Sequence, residues 1–455
     1  MEKFDAIIIG SGKGGKVLAG QLAGRSEKVA LIEKSDTMYG GTCPSVGCVP
    51  TKFLVNRADE ARLFAFPTFE EKAAFYAKAI EAKKALRAKL NAKMFAAFSS
   101  NPNIDLITGT AEFTGPHSVI VRGGDFTREL SSDKIIIDTG SKPFIPDIEG
   151  LAAAKKVYTS TEMLELDKLP RDLVIIGGGN IGLEFASIYS RFGANVTVLQ
   201  DLAEFMPNED AEIASCVKEA LLAQGIKFHF GVKVLSLRTT GEKTTVAYLA
   251  DGREYSAAAD AVLISTGRVP NTDGLGLDAA GVAQTPRGAV AVDERMRTNV
   301  TGVWAIGDVT GGAQFTYISQ DDARIVLSDM TDGVRTNVGR NIPYSVFLSP
   351  TLSRVGLTEK AARAKNIEVK TATLLPTSLP RAHAMERYTG MLKAVVDANS
   401  GLILGVSLFC DESHEMINIV TLAMNENIKY TALRDMIFTH PVMSEAMNDL
   451  FGGVK

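Results

Sequence analysis

The chain has few of the residues that usually mark a site. Among 455 residues there are four cysteines, five histidines and one tryptophan. Cys216 and Cys410 stand alone, and only His414, beside Cys410, offers a second ligand. A structural zinc site needs four clustered ligands, so no metal site is expected. An excess of either charge is also missing. Lys and Arg total 49 against 53 Asp and Glu, for a net charge of -4, and no basic run appears that could neutralise phosphates. Nucleic acid is therefore not an expected partner. No apolar segment approaches membrane-spanning length. Met1 to Asp5 and the short apolar run Ala6 to Ile9 lack the character of a signal peptide. A cytoplasmic protein without a membrane partner is expected. In that reducing setting a cysteine pair is more often catalytic than structural.

That pair lies in Gly40-Gly41-Thr42-Cys43-Pro44-Ser45-Val46-Gly47-Cys48-Val49-Pro50-Thr51-Lys52, ahead of a helical run from Phe53 to Phe64. A helix beginning at the Pro-Ser or Gly-Cys step presents amide groups and a positive dipole end that stabilise a thiolate. Lys52, four residues after Cys48, shares its face on such a helix and can stabilise a negative sulfur. A half zinc site or two inert buried thiols are the competing readings.

The rest of the chain disfavours both. At this length roughly two to four domains are expected. Phe4 to Ile9 reads as a strand, Gly10-Ser11-Gly12-Lys13-Gly14-Gly15 as a glycine turn, and Lys16 to Gly24 as a helix. This is the G-x-G-x-x-G fingerprint in its required context: Gly10, Gly12 and Gly15 let a pyrophosphate approach the helix N-terminus. Glu33 ends the next strand, placed to accept the ribose hydroxyls. The pattern recurs at Leu173 to Ile176, Gly177-Gly178-Gly179-Asn180-Ile181-Gly182 and a helix to Phe192, with Gln200 where Glu33 stood. Gly177, Gly179 and Gly182 take the glycine roles. Two such folds imply two dinucleotides, one a flavin and the other a hydride-carrying nicotinamide. Between them, Phe69 to Phe98 reads as a long solvated helix packing one face. Asn103 to Leu130 reads as a small sheet, and Lys134 to Asp138 as a strand ending at Thr139-Gly140, where the chain crosses to its next domain.

Together these segments resemble the class I pyridine nucleotide-disulfide oxidoreductases, which include lipoamide dehydrogenase, glutathione reductase and mercuric reductase. The resemblance runs over essentially the full length. It rests on the Cys43–Lys52 stretch, both fingerprints, Ser265 to Asn271, Trp304 to Asp308 and Thr439-His440-Pro441-Val442-Met443-Ser444-Glu445. Gly307 to Gly312, Gln314 to Ser319, Pro343 to Phe347, Leu352 to Gly356 and Ser413 to Val420 are similar to the reactive-chlorine-resistance flavoproteins that reduce hypothiocyanous acid.

The resemblance implies an α/β fold with two Rossmann-like domains, for FAD and NAD(P)H, and a C-terminal α+β dimerisation domain. Expected boundaries are 1–145 (FAD), 146–267 (NAD(P)H), 268–338 (FAD and central) and 339–455 (interface). It also implies roles. Cys48 lies against the flavin in charge-transfer contact, and Cys43 is the exposed interchange thiol. Lys52 pairs with Glu184 near the flavin, and Asp308 meets the ribityl chain. Thr139, Gly140 and Gly267 lie beside the cofactors. His440, oriented by Glu445, moves protons at the thiols of a second subunit, which makes the protein a homodimer.

Gln200, followed by no Lys or Arg through Asp210, favours NADH over NADPH, since nothing in that stretch pairs with a 2′-phosphate. Phe438 stands where lipoamide dehydrogenases carry a histidine. With Phe315 and Tyr317 it suggests a narrow aromatic pocket for a small oxidant. The leading expectation is reduction of hypothiocyanous acid. The alternatives are a dihydrolipoamide dehydrogenase or other disulfide reductase, a Cu(II) or mercuric ion reductase, and a non-catalytic flavin redox sensor.

Overall fold

The computed structural model describes residues 1–64 and 66–455. Short Ile- and Val-rich runs form strands covered on both faces, as parallel sheets require. The first sheet is five-stranded and parallel, ordered Val303–Ala305, Ile135–Ile137, Ala6–Ile9, Val29–Glu33, Ile104–Thr108. Its central strands are wholly buried. Helix α1 (Lys13–Ala23) follows the first glycine turn, with Gly10 at φ +110. A Cβ on Gly10 would lie 2.2 Å from the Asp138 carbonyl oxygen, so only glycine fits.

The second parallel sheet is ordered Val157–Thr159, Ala261–Ile264, Asp172–Ile176, Asn195–Leu199, Lys227–His229. Helix Asn180–Phe192 packs on it. The two crossings between these layers run side by side: Ser141–Pro143 pairs antiparallel with Arg268–Pro270, just past Gly140 and Gly267. The C-terminal sheet is antiparallel, ordered Tyr344–Val346, Leu352–Gly356, Ile403–Phe409, Met391–Asp397, Val369–Leu374, and is backed by helix Ser413–Asn425.

Helices α2 (Thr42–Val46), α3 (Cys48–Leu63) and α4 (Phe69–Ser99) carry the thiol region. Thr68 starts α4 with a reciprocal cap: its hydroxyl accepts from the Glu71 amide at 3.2 Å, and the Glu71 carboxylate accepts from the Thr68 amide at 3.2 Å. α4 is a long solvated helix that packs one face, as its pattern suggested, with Tyr76, Ala79, Ile80, Lys83 and Phe98 buried. Tyr76 is buried against Tyr189 with hydroxyls 2.9 Å apart. Lys83 is fully buried, its ammonium held by the Leu164 carbonyl and by Glu165 at 2.7 Å. A lysine reads as solvent-facing in sequence. Here a carbonyl and a carboxylate replace its water.

The second domain is clamped to the C-terminal sheet by Lys393. Its side chain is buried and bonds Glu212, Glu359 at 2.8 Å and Asp210 at 3.6 Å. Among the described residues no helix is long and apolar enough to cross a membrane.

Candidate active site

Cys43 lies on α2 and Cys48 opens α3, with Gly47 breaking the backbone between them. Cys48 Sγ sits 3.5 Å from Thr316 Oγ1. The neighbouring Cys43 thiol, with Thr316 and the Lys52 ammonium, pulls Cys48 down to about 6. The Cys48 thiol beside it, then burial, push Cys43 above the ordinary thiol range. Cys48 is thus the resting thiolate.

Within the single chain Cys48 is exposed and Cys43 half-buried. The charge of Cys48 is felt by Arg268 and Tyr317, and Cys43 is near enough to Thr316 and Lys16 to be lowered by both.

Lys52 and Glu184 meet across the domains. The ammonium donates to Glu184 Oε2 at 2.7 Å and Oε1 at 2.9 Å, and the Phe347 amide also donates to Oε1 at 2.9 Å. The ammonium stands 4.6 Å from the Phe347 ring centroid. Three domains therefore fix one cation beside Cys48.

At the first fingerprint, Glu33 ends its strand as the sequence suggested. Its Oε2 accepts from the Ser11 amide (3.1 Å) and hydroxyl (2.6 Å), and its Oε1 from the Ser35 amide (3.3 Å). The Gly15 amide donates to buried Asp138 at 2.7 Å, and the Gly14 amide to Ser319 Oγ at 2.9 Å. Asp138 is a structural member that the glycine pattern does not reveal, and burial pushes its carboxyl well up. Among the described residues the amides of Gly12 and Lys13 have no partner. A Cβ on Gly12 would meet Asp138 at 2.6 Å, and one on Gly41 would meet Gly12 Cα at 2.7 Å. Free amides at a helix start, walled by glycines that admit no side chain, fit a pyrophosphate. Asp308 lies close enough to Asp138 for its charge to push that carboxyl up further. Ser141 Oγ donates to its carboxylate at 2.7 Å, and Arg268 Nε donates to Ser141 at 2.8 Å. Thr139 is turned away, its hydroxyl on the Asn271 carbonyl at 2.7 Å, while Gly140 and Gly267 (φ +70 and +117) leave open space.

The second fingerprint opens onto a cavity of about 370 Å³ lined by Gly178, Gly179, Asn180, Gln200, Phe315 and Arg354, among others. Gln200 accepts from the Gly178 amide at 2.5 Å. Gly177 (φ +104) and Gly182 are set by contact, a Cβ on Gly182 falling 2.1 Å from the Gly177 carbonyl oxygen. A cation does reach this cavity, although Leu202 to Asp210 supplies none. Arg354 comes from the C-terminal sheet, its Nε 3.0 Å from the Tyr344 hydroxyl and 3.4 Å from Glu209. A search confined to residues after Gln200 cannot find a group about 150 positions away.

The aromatic trio separates. Phe315 stacks between Tyr317 (5.2 Å, 7°) and Tyr344 (6.2 Å, 9°) and faces the dinucleotide cavity. Phe438 packs on the C-terminal core instead. They form no single pocket within the chain. His440 is two-thirds exposed, with Nδ1 2.9 Å from Glu445 Oε2, and Glu445 Oε1 is buried with no partner among the described residues.

Residues 4–323 match the family model "Pyridine nucleotide-disulphide oxidoreductase", and residues 342–451 match that family's dimerisation domain. The chain is 44% identical over 457 residues to the probable pyridine nucleotide-disulfide oxidoreductase RclA of Escherichia coli K12, covering all of both. It is 32% identical to the dihydrolipoyl dehydrogenase of Mycobacterium leprae, covering 100% of this chain and 98% of that one. The solved Cu(II) complex of the HOCl-induced flavoprotein disulfide reductase RclA from Escherichia coli superposes with a TM-score of 0.93 at 43% identity, over the full length of both chains. Paired thiols beside two glycine-turn clefts, on a chain matched end to end, make this protein a flavoprotein disulfide reductase of the pyridine nucleotide-disulfide oxidoreductase family, whose members use FAD and NAD(P)H.

Proposed function

We propose that the protein reduces a small oxidant, hypothiocyanous acid foremost, at the Cys43–Cys48 pair at the expense of NADH. The observation that carries this reading is the paired cysteines set at the start of α3 beside the Lys52–Glu184 ion pair, with Cys48 Sγ 3.5 Å from Thr316 Oγ1. The domain boundaries are proposed as 1–145, 146–267, 268–338 and 339–455. FAD would be held by Gly10, Gly12, Gly15, Glu33, Thr139, Gly140, Lys52 and Asp308. NADH would be held by Gly177, Gly179, Gly182, Gln200 and Gly267. Bound flavin supplies the means to move an electron pair from the nicotinamide to the disulfide.

The protein's own groups do the rest. Cys43 must lose its proton, which His440 of a second copy, oriented by Glu445, accepts. The Cys43 thiolate attacks the sulfur of hypothiocyanous acid. A Cys43–sulfur bond forms, the sulfur–oxygen bond breaks, and hydroxide leaves as water after taking a proton. Cys48 thiolate then attacks Cys43 sulfur, closing the disulfide and releasing thiocyanate with the bonding pair. Lys52 holds the Cys48 charge between cycles, and Glu184 keeps Lys52 in place.

In the reduced protein, the Cys48 thiolate signal at 240 nm should have its midpoint near pH 6. The folded pKa is lowered, so the thiolate persists above pH 6 and is lost below it. A midpoint at the ordinary thiol value of about 8.5 contradicts the assignment. At the second cavity, Arg354→Gln should raise KM for NADH about tenfold and leave kcat nearly unchanged, as loss of a charge-assisted contact to a phosphate does. An unchanged KM removes Arg354 from the cofactor site.

A second reading, reduction of Cu(II), draws support from the solved Cu(II) complex of the Escherichia coli relative and from the affinity of thiolates for soft reduced copper. Comparing NADH oxidation with hypothiocyanous acid, Cu(II), lipoamide and glutathione disulfide as sole acceptors separates the readings. The proposed function requires hypothiocyanous acid to give the highest kcat/KM. A higher value for any other acceptor contradicts it.

A further inference from the structure

Glu33 and Cys43 stand at the two ends of one loop, residues 34–42, and that loop crosses the first fingerprint. It turns twice on itself, the Met38 amide donating to the Ser35 carbonyl at 3.1 Å and the Gly41 amide to the Met38 carbonyl at 2.8 Å. Its second half lies on the glycine turn. A Cβ on Gly41, at φ +79, would fall 2.7 Å from Gly12 Cα, and the Gly40 amide donates to Ser11 Oγ at 3.1 Å. The same Ser11 hydroxyl donates to Glu33 Oε2 at 2.6 Å. Where the loop sits therefore sets both the Ser11–Glu33 pair and the space over Gly12.

Behind the loop a cavity of about 580 Å³ opens toward α4, lined by Asp36, Thr37, Tyr39, Arg87, Asn91 and Phe95, among others. Two side chains tie the loop down beside it. Tyr39, its ring 5.4 Å from that of Phe95, has its hydroxyl 2.7 Å from Thr108 Oγ1 and fastens the loop to the first sheet. Asn91 fastens it to α4 with both ends of one amide. Its Oδ1 accepts from the Tyr39 amide at 3.0 Å, and its Nδ2 donates to the Asp36 carbonyl at 2.7 Å. Among the described residues neither backbone group has another partner. Asparagine gains little inside a helix, because its amide competes for backbone bonds. Here those bonds are made to a different segment.

We propose that Asn91 is a positioning residue for the flavin dinucleotide: from α4 it holds loop 34–42 against the first glycine turn, and its two hydrogen bonds govern how long FAD stays bound. This rests on the assignment of the first turn to FAD given above. Asn91 acts through the loop, whose displacement would loosen Ser11, Glu33 and the amides over Gly12 together.

The test reads flavin release. Purified holoprotein is diluted into flavin-free buffer, and protein-bound flavin is measured by absorbance after rapid desalting at successive times. Asn91→Ala should release FAD about tenfold faster than wild type, the scale of one net hydrogen bond. Asn91→Asp has the same shape and keeps the acceptor for the Tyr39 amide but loses the donor to the Asp36 carbonyl, so its release rate should fall between the two; it serves as the test should Asn91→Ala fail to fold. Ser11→Ala separates positioning from a general loss of stability. Asn91 and Ser11 hold the same loop, so the double variant should release FAD hardly faster than the faster single variant, whereas independent sites multiply their effects. Reduction by NADH of the flavin that is still bound should keep its wild-type rate, because Asn91 lies outside the second cavity. Wild-type release in both Asn91 variants beside quickened release in Ser11→Ala, or full multiplication in the double variant, overturns the role of Asn91 alone. Wild-type release in Ser11→Ala as well overturns the assignment of FAD to the first turn.

Discussion

Cys43→Ser loses turnover by about a thousandfold or more, and Cys48→Ser loses it just as completely but stops at a different point. The difference follows from the geometry. Cys43 carries the attacking sulfur in the proposed cycle, so without it no bond to the oxidant forms. Cys48, 3.5 Å from Thr316 Oγ1 and beside Lys52, serves to close the disulfide. Pre-reduced Cys48→Ser should therefore take up one equivalent of hypothiocyanous acid and retain it as an adduct on Cys43, visible as added mass. Cys43→Ser should take up none. An adduct on Cys48 in the Cys43→Ser variant would reverse the roles of the two thiols. A further variant checks the electrostatics: Cys43→Ala removes the donor that contributes most to holding Cys48 down, so the Cys48 midpoint should rise from about 6.

His440→Gln should lower kcat by about a hundredfold to ten-thousandfold, the range of a lost general acid–base. The Cys48 thiol beside it and burial push Cys43 up, so it gives up its proton less readily than an ordinary thiol. With His440 present, a base takes that proton, and the rate should level off as pH rises. Without it, only solvent hydroxide remains. The residual rate should keep climbing as pH rises, because the thiolate fraction of a raised-pKa thiol grows with pH throughout that range. Glu445→Gln should give a smaller loss with the same sign, since Glu445 only orients the ring through the 2.9 Å contact to Nδ1. A His440→Gln profile that levels off like wild type would remove His440 from the proton path. Mixing inactive Cys43→Ser with inactive His440→Gln protein and finding partial recovery would further support a site shared between copies.

Much of this arrangement was legible in the sequence, because the relevant signals are local. The glycine turns announce themselves since a Cβ at Gly10 or Gly182 would collide with backbone oxygen, and the flanking runs of Ile and Val admit only buried strands. Lys52 sits four residues after Cys48 on one helix face, and Glu184 sits one turn into the helix after the second fingerprint. Their meeting at 2.7 Å needed only that the two domains pack as similar chains do.

What sequence left hidden depends on contacts between distant elements. Asp138 reaches the Gly15 amide only because two strands are adjacent in the sheet. Arg354 enters the second cavity from another domain. Lys83 and Lys393 look like surface residues until the packing buries them beside carboxylates.

The most direct test is stopped-flow NADH oxidation by the purified flavoprotein with hypothiocyanous acid, run beside Cys43→Ser and Cys48→Ser. Fast turnover in the native protein, lost in both variants, is the predicted result. Slow turnover in the native protein, or turnover that survives loss of either thiol, would contradict the account.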